Sequence, residues 1–211
     1  MSNNYEVVAD KVLHFPNALP DPAGAIQLLE NQASATAGDW IPWHANRNPS
    51  NTQYGELKEF TEARLELETD ELVKEKASTF LENFYETVNH CIREYFRYLG
   101  LDDEVEISYF QSPQSVRPEH IAIKKYFIGE GLGPHPDWEK EDPVAFTASM
   151  YFNDDYEGGD LGFRDLAVSV KPTPGSVIVF PSSYFHYSVP MISGTKYVTN
   201  ILVLLPKSAL D

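Results

Sequence analysis

The amino-acid sequence predicts an α+β fold, a double-sheet jelly roll with N-terminal helices packed on one of its sheets. Three observations carry that expectation. Residues 69–99 show one long apolar stripe at helical spacing. Beyond Leu101 the chain breaks into short strand-like runs separated by Pro, Gly and Asp, and the helical signals precede nearly all of the strand signals. At 211 residues the chain reads as a single domain, 1–211, with helical support mainly in 21–100 and the jelly-roll core in about 105–205.

Taken in order, residues 5–14 read as a first strand. Residues 15–22 carry turn chemistry that leads into a short helix, with Asp21 as N-cap and Pro22 at the first helical position, where a missing N–H costs nothing. Ile26, Leu28 and Leu29 give that helix its apolar face. Residues 33–54 are rich in Asn, Ser, Pro and Gly and hold Trp40 and Trp43. Loops of this length are uncommon in a compact domain and are often functional, so 33–54 is a candidate lid, with a surface excursion pinned by the two tryptophans as the equal alternative.

The helix at 69–99 presents Leu72, Val73, Ala77, Phe80, Phe84, Val88, Cys91, Ile92, Tyr95 and Leu99 at three- and four-residue spacing, and Gly100 stands where a C-terminal glycine belongs. Its charged face, with Glu82, Glu86 and Arg93, reads as solvated, and its apolar face as the cover of a sheet. The strand-like runs are 105–110, 120–128, 144–152, 161–170, 176–180, 185–189 and 196–205. Within 144–152, alternation puts Phe146, Ala148, Met150 and Phe152 on one face and Thr147, Ser149 and Tyr151 on the other. Residues 153–159 form a turn or loop, and Lys196, Val198 and Asn200 share a face of the last run. No internal repeat is visible.

Composition narrows the function classes. The net charge of −16 repels phosphate backbones and anionic head groups, which argues against nucleic acid and membrane surfaces as partners. The only cysteine, Cys91, excludes an intrachain disulfide and reads as core filler. The N-terminus lacks the charged start and apolar run of a signal peptide, and no apolar stretch has membrane-spanning length, so a soluble cytoplasmic protein is expected.

The chemistry-bearing residues are His135, Asp137 and His186, the last 49 positions after the aspartate. In an extended segment residues i and i+2 face the same way, so His135 and Asp137 can reach one ion together. Pro136 biases His135 toward extended geometry. His186 follows Pro181-Ser182-Ser183, opens a short strand-like run and is expected to reach the ion from the opposite sheet. Two imidazoles and one carboxylate on one face of Fe(II) leave the other positions open. Among six histidines and 32 acidic residues a His-x-Asp arises by chance, and His14, His44, His90 and His120 lack a carboxylate at ligand spacing. Strand patterns flanking both ligand segments lift this motif above chance. Lys196 strengthens it further: it opens the most apolar strand-like run, where a buried cation needs an anionic partner. A lysine snorkelling from a strand end is the plainer alternative.

From Tyr126 to Leu205 the chain resembles the Fe(II)/2-oxoglutarate-dependent dioxygenase superfamily, in its prolyl 4-hydroxylase-like branch. The resemblance rests on Tyr126, His135-Pro136-Asp137, residues 147–153 (Thr-Ala-Ser-Met-Tyr-Phe-Asn), Glu157-Gly158-Gly159-Asp160-Leu161, residues 170–175, His186 and residues 194–200. It implies a double-stranded β-helix of the jelly-roll, cupin-like kind, with His135, Asp137 and His186 as iron ligands. It further implies Lys196 on the distal carboxylate of 2-oxoglutarate, Tyr126 and Tyr151 bonded to the same cosubstrate, and Thr147 and Asn200 lining its pocket. The implied cofactors are Fe(II), 2-oxoglutarate and O₂, with ascorbate a candidate reductant. The implied reaction is hydroxylation of an unactivated C–H bond of a peptide, protein residue or free amino acid, coupled to decarboxylation of 2-oxoglutarate to succinate.

Departures from the family pattern concern substrate. Peptide prolyl 4-hydroxylases carry a Tyr three residues before the first ligand and an Arg three before the Thr, where this chain has Leu132 and Val144. The carboxylate ligand is present, which favours hydroxylation over halogenation. The nucleic-acid demethylase branch places arginines after the distal His, and this chain has none beyond Arg164. Two other classes stay open: a cupin-like metal enzyme that binds Zn or Mn without 2-oxoglutarate, and a non-catalytic binding module on the same fold. Trp138, next to Asp137, reads equally as a wall of the substrate entrance or as core packing.

Overall fold

The computed structural model describes residues 4–35, 41–42, 61–65, 71–101, 108–110, 121–137 and 144–204. Trp40, Trp43, His44, His120 and Trp138 lie outside the described residues, as does most of the candidate lid at 33–54.

Among the described residues a nine-stranded sheet forms the larger layer. Its strands run in the order β1 (Glu6–Ala9), β2 (Val12–Phe15), β12 (Val177–Pro181), β8 (Val144–Tyr151), β15 (Lys196–Leu204), β6 (Ile121–Tyr126), β4 (Thr61–Leu65) and β3 (Ile41–Pro42), with β5 (Ser108–Phe110) also paired to β15. A four-stranded sheet faces it, in the order β11 (Val168–Val170), β10 (Leu161–Phe163), β13 (His186–Ser188) and β7 (Leu132–His135). A small ladder of β9 (Glu157–Gly158) and β14 (Met191–Ser193) completes it. Each described pairing is antiparallel.

The central strand β8 shows why the layers divide the side chains as they do. Its even-numbered residues Phe146, Ala148 and Met150 join the core beneath the helices, followed by Phe152. Tyr151 joins a second cluster between the sheets, with Val12, Leu132, Leu161, Phe163, Ile178, Phe180 and Val198. A period of two on a sheet covered on both faces gives this result.

The helix cover is α2 (Glu71–Leu99), with α1 (Pro22–Ala35) beside it. Phe80, Phe84, Val88, Cys91, Ile92, Tyr95 and Phe96 of α2 are buried on one stripe. Removing each large side chain from water contributes about 1.5–3 kcal/mol. Tyr95 and Phe96 meet Phe146 with ring centroids 5.1 and 5.7 Å apart, which fixes α2 over β8. The helix ends as Gly100 takes a φ of 70°, with Leu101 N–H donating to the Phe96 carbonyl at 2.9 Å and Gly100 N–H to that of Arg97 at 3.1 Å. At the start of α1 the Asp21 carboxylate accepts from Gly24 N–H at 3.0 Å, the capping bond that its position promised.

Several sequence expectations need correction. Residues 5–14 are a hairpin, β1 and β2, because Lys11 turns the chain with a φ of 52°. The run 161–170 likewise splits into β10 and β11 around residues 164–167, where Ala167 has a φ of 53°. Helix α1 extends to Ala35, into the stretch read as loop. Strands β3, β4, β7, β9 and β14 carry no run of alternating residues long enough to announce them. His186 does not arrive from the opposite sheet: β13 pairs directly with β7, and His186 stands in register with His135. No helix among the described residues is long and apolar enough to cross a membrane.

Candidate metal centre

The triad is assembled by one ladder and one turn. The β7–β13 pairing sets the two imidazoles side by side, ring centroids 4.4 Å apart. Beyond Pro136 the chain is pinned by Asp137 N–H donating to the Ser182 carbonyl at 2.9 Å, close to the two rings. Asp137 Oδ1 lies 3.6 Å from His135 Nε2, and Oδ2 lies 3.4 Å from His186 Nε2. One donor atom from each of His135, Asp137 and His186 falls within 4.8 Å of the other two.

Both rings are oriented from behind. His135 Nδ1 bonds the Gly133 carbonyl at 2.8 Å and His186 Nδ1 that of Tyr184 at 3.0 Å. A carbonyl only accepts, so each Nδ1 carries a proton, and in the neutral tautomer that this selects Nε2 presents its lone pair to the gap between the rings. His186 Nε2 is buried and has no hydrogen-bond partner among the described residues. Burial also lowers the His186 pKa, against the pull of Asp137, which keeps the ring neutral and able to ligate. For Asp137 burial works toward a raised pKa, but His186, His135 and the Thr147 hydroxyl outweigh it and hold the carboxyl well below the ordinary range.

The facing sheet completes the surroundings. Thr147 Oγ1 donates to Asp137 Oδ2 at 2.7 Å, so this residue, expected to line a cosubstrate pocket, also touches the carboxylate of the triad. Phe180 packs on the His186 ring at 4.8 Å and is backed by Phe163 at 5.0 Å, an apolar wall that excludes water from one side. Replacing Thr147 by Val keeps the shape and removes the donor. We expect divalent-metal affinity to fall about 10–100-fold, the usual effect of losing an outer-shell partner, and a titration with Co(II) under anaerobic conditions checks it.

The second group of residues lies along β15. Lys196 is 1 % exposed, and its Nζ donates to the Gly159 carbonyl at 2.9 Å and to Ser188 Oγ. Both partners are neutral oxygens. Its ammonium stands 4.3 Å over the Tyr126 ring, its partner in register. Burial, then the nearby Lys124, lower the Lys196 pKa to about 7, with Asp160 opposing. Tyr151 is deeply buried and its phenol is raised well above its ordinary value by that burial, while Ser149 bonds its hydroxyl. Asn200 joins the same network: with its amide turned so that both ends are satisfied, the nitrogen donates to Ser149 Oγ at 3.1 Å and the oxygen accepts from Lys124 Nζ at 3.2 Å.

The structure therefore gathers His135, Asp137, His186 and Thr147 at one place and Lys196, Tyr126, Tyr151 and Asn200 at another, both between the two sheets. Sequence reading missed Ser149, Ser188, Lys124, Phe180 and the Gly159 carbonyl. Alternation from Thr147 does place Ser149, and alternation from His186 and Tyr126 places Ser188 and Lys124, so three of these carried a signal. Cys91 is buried, with its thiol pushed up to about 12 chiefly by that burial, in keeping with an inert filler. His14 does have an acidic neighbour, Glu6 across the hairpin at 3.6 Å, but at no ligand spacing.

Comparison with known proteins agrees with this geometry. Residues 121–203 match the sequence profile of the 2OG-Fe(II) oxygenase superfamily. That match spans 83 of the 211 residues, and over it the chain is similar to members of that superfamily. A PKHD-type hydroxylase of Synechococcus sp. (strain CC9902) is 33 % identical over 88 residues, which is 39 % of this chain and 40 % of the relative. One of Gloeothece citriformis (strain PCC 7424) is 33 % identical over 97 residues, 40 % of this chain and 43 % of the relative. The chain thus matches less than half the length of these curated relatives. In fold it is similar to a prolyl hydroxylase from Trichoplax adhaerens solved with a hypoxia inducible factor peptide fragment, with a TM-score of 0.65 at 18 % identity, covering 96 % of this chain and 87 % of that one. A Pseudomonas putida prolyl-4-hydroxylase gives a TM-score of 0.57 at 17 % identity, covering 93 % of each chain. The double-stranded β-helix expected from the sequence is the fold these proteins share.

The profile matched by residues 121–203 is that of oxygenases that use Fe(II) and 2-oxoglutarate with O₂. The residues present fit the metal: two imidazoles whose Nε2 atoms face the same gap, one ionised carboxylate, and an otherwise orphaned buried nitrogen at His186.

Proposed function

We propose that this chain is an Fe(II)- and 2-oxoglutarate-dependent hydroxylase of the prolyl 4-hydroxylase-like kind. Its substrate in this reading is a residue of a peptide or protein, or a free amino acid. The observation that carries the reading is the pairing of two separate sites between the same sheets, a His-Asp-His donor set and a buried lysine whose hydrogen-bond partners are neutral. A structural lysine would be expected to face a carboxylate or to reach solvent.

In this reading His135, Asp137 and His186 hold the iron, Lys196 takes the distal carboxylate of 2-oxoglutarate, and Tyr126 and Tyr151 bond the same cosubstrate. Bound iron, with 2-oxoglutarate and O₂, supplies hydroxylation of a C–H bond coupled to decarboxylation of the cosubstrate to succinate. The chain supplies orientation and dryness. The Gly133 and Tyr184 carbonyls fix the imidazoles, and the Thr147 hydroxyl fixes one carboxylate oxygen. Phe180 and Phe163 keep water from the His186 side. Tyr151, with its phenol raised, stays protonated and acts as a donor. Leu132 is buried among the apolar residues between the sheets, where peptide prolyl 4-hydroxylases carry a tyrosine, and this supports a substrate other than peptidyl-proline.

The test is succinate release from 2-oxoglutarate in the presence of Fe(II) and O₂, with ascorbate as reductant, followed by a mass-spectrometric screen of peptides and amino acids for a +16 Da product. Succinate formation that requires both iron and 2-oxoglutarate supports the proposal. Folded, metal-loaded protein that neither binds nor consumes 2-oxoglutarate would sink it.

A further inference from the structure

Tyr156 occupies a position built around it. It is 4 % exposed and clusters with Tyr126, Tyr151 and Met191 between the sheets. Two glycines with positive φ make room for it, Gly159 at 69° and Gly194 at 76°. A Cβ on Gly194 would stand 2.9 Å from Tyr156 Cα and Cβ. One on Gly159 would stand 3.0 Å from Tyr156 Cε2 and 3.2 Å from Lys196 Cδ. Cε2 adjoins the carbon that bears the hydroxyl, so the polar end of Tyr156 and the stem of Lys196 flank the same point.

That hydroxyl is buried and has no hydrogen-bond partner among the described residues. Burying a hydroxyl without a partner is unfavourable, and Phe would fill the same space without that cost. Burial, with Asp160, Asp154 and Asp155 adding to it, raises the phenol pKa, so the group remains a donor over the whole working range. Lys196 spends two donor bonds on Gly159 and Ser188, which leaves one of its three protons for a ligand. A carboxylate placed there has a second oxygen to satisfy.

We propose that the Tyr156 hydroxyl is that second donor, anchoring the distal carboxylate of the 2-oxo acid together with Lys196. The inference rests on the cosubstrate reading above and adds a residue to it: Tyr156 senses the distal carboxylate and so selects dicarboxylic over monocarboxylic 2-oxo acids.

The test compares the wild type with Tyr156→Phe, both loaded with Mn(II) and titrated with 2-oxoglutarate in a calorimeter, without turnover. Loss of a hydrogen bond to a charged group predicts a Kd about ten-fold higher for the variant. The melting temperature should be unchanged or higher, because an unsatisfied hydroxyl is gone. The affinity for 2-oxopentanoate, which has a methyl group where 2-oxoglutarate has its distal carboxylate, should be the same in both proteins. An unchanged Kd for 2-oxoglutarate would overturn the proposal. So would an equal loss for both acids, which means a displaced ring, or a melting point lowered by several degrees, which means the hydroxyl has a partner within the chain. Failure of the wild type to bind 2-oxoglutarate at all would overturn the cosubstrate reading itself and the role of Tyr156 with it.

Discussion

Replacing Asp137 by Ala is expected to abolish high-affinity binding of Fe(II), and with it the 2-oxoglutarate consumption proposed above, while the fold persists. Asp137 is the only anionic donor in the described triad and lies against both Nε2 atoms, at 3.6 and 3.4 Å. Without it two imidazoles remain, and two nitrogen donors hold a divalent ion far more weakly than a set with a carboxylate. The fall in affinity should exceed the about 10–100-fold set by loss of a supporting hydrogen bond such as that from Thr147. Anaerobic Co(II) titration reads the metal site, and far-ultraviolet circular dichroism reads the fold. The metal-free proteins should also differ in acid. The Asp137 carboxyl is held below its ordinary value of 3.8, so its contribution to stability is complete above that pH and is lost as pH falls toward the folded value. The variant should lack that part of the acid limb. Wild-type metal affinity in the variant would mean that the three residues do not share an ion.

What the sequence made legible follows from period and chemistry. The strict alternation of residues 144–152 assigned Thr147, Ser149 and Tyr151 to one face, and the structure divides the strand in that way. The three- and four-residue spacing of Phe80, Phe84, Val88, Cys91, Ile92 and Tyr95 gave α2, because no other geometry puts those side chains on one stripe. Turns at Lys11 and Ala167 escaped notice because neither uses the glycine or asparagine that usually announces a left-handed residue. Strand neighbours escaped for a different reason. Alternation says which residues share a face, but pairing is decided by packing across the whole domain, so His186 beside His135 in one sheet was beyond local reading. The same holds for the partners of Lys196, which come from eight and 37 positions away, and for Tyr156, which in the sequence is one more residue of an acidic loop.

Lys196→Met is the variant with the most distinctive signature, because one group should produce two opposite pH dependences. Methionine fills a similar volume and cannot pair with a carboxylate. Truncating one partner of a buried charged pair costs about 2–5 kcal/mol, so 2-oxoglutarate affinity should fall from about 30-fold to several thousandfold, with Co(II) affinity unchanged. In the ligand-free wild type the Lys196 amine titrates at about 7 instead of 10.5. Between those values the unfolded chain holds a proton that the folded site has given up. Stability therefore rises with pH across that window, by at most about 1.4 kcal/mol per pH unit. Binding of 2-oxoglutarate runs the other way. In the proposed anchoring it needs the ammonium, so affinity should be flat below pH 7 and decline above it, approaching about ten-fold per unit while the bound amine stays protonated. Melting temperature and 2-oxoglutarate Kd measured from pH 6 to 9 test both slopes. The variant should lose this share of each, since methionine carries no proton to exchange. If wild type and Lys196→Met ran parallel in both measurements, the lysine would be a packing residue, and the anchoring of a dicarboxylic acid between the two sheets would have to be sought elsewhere.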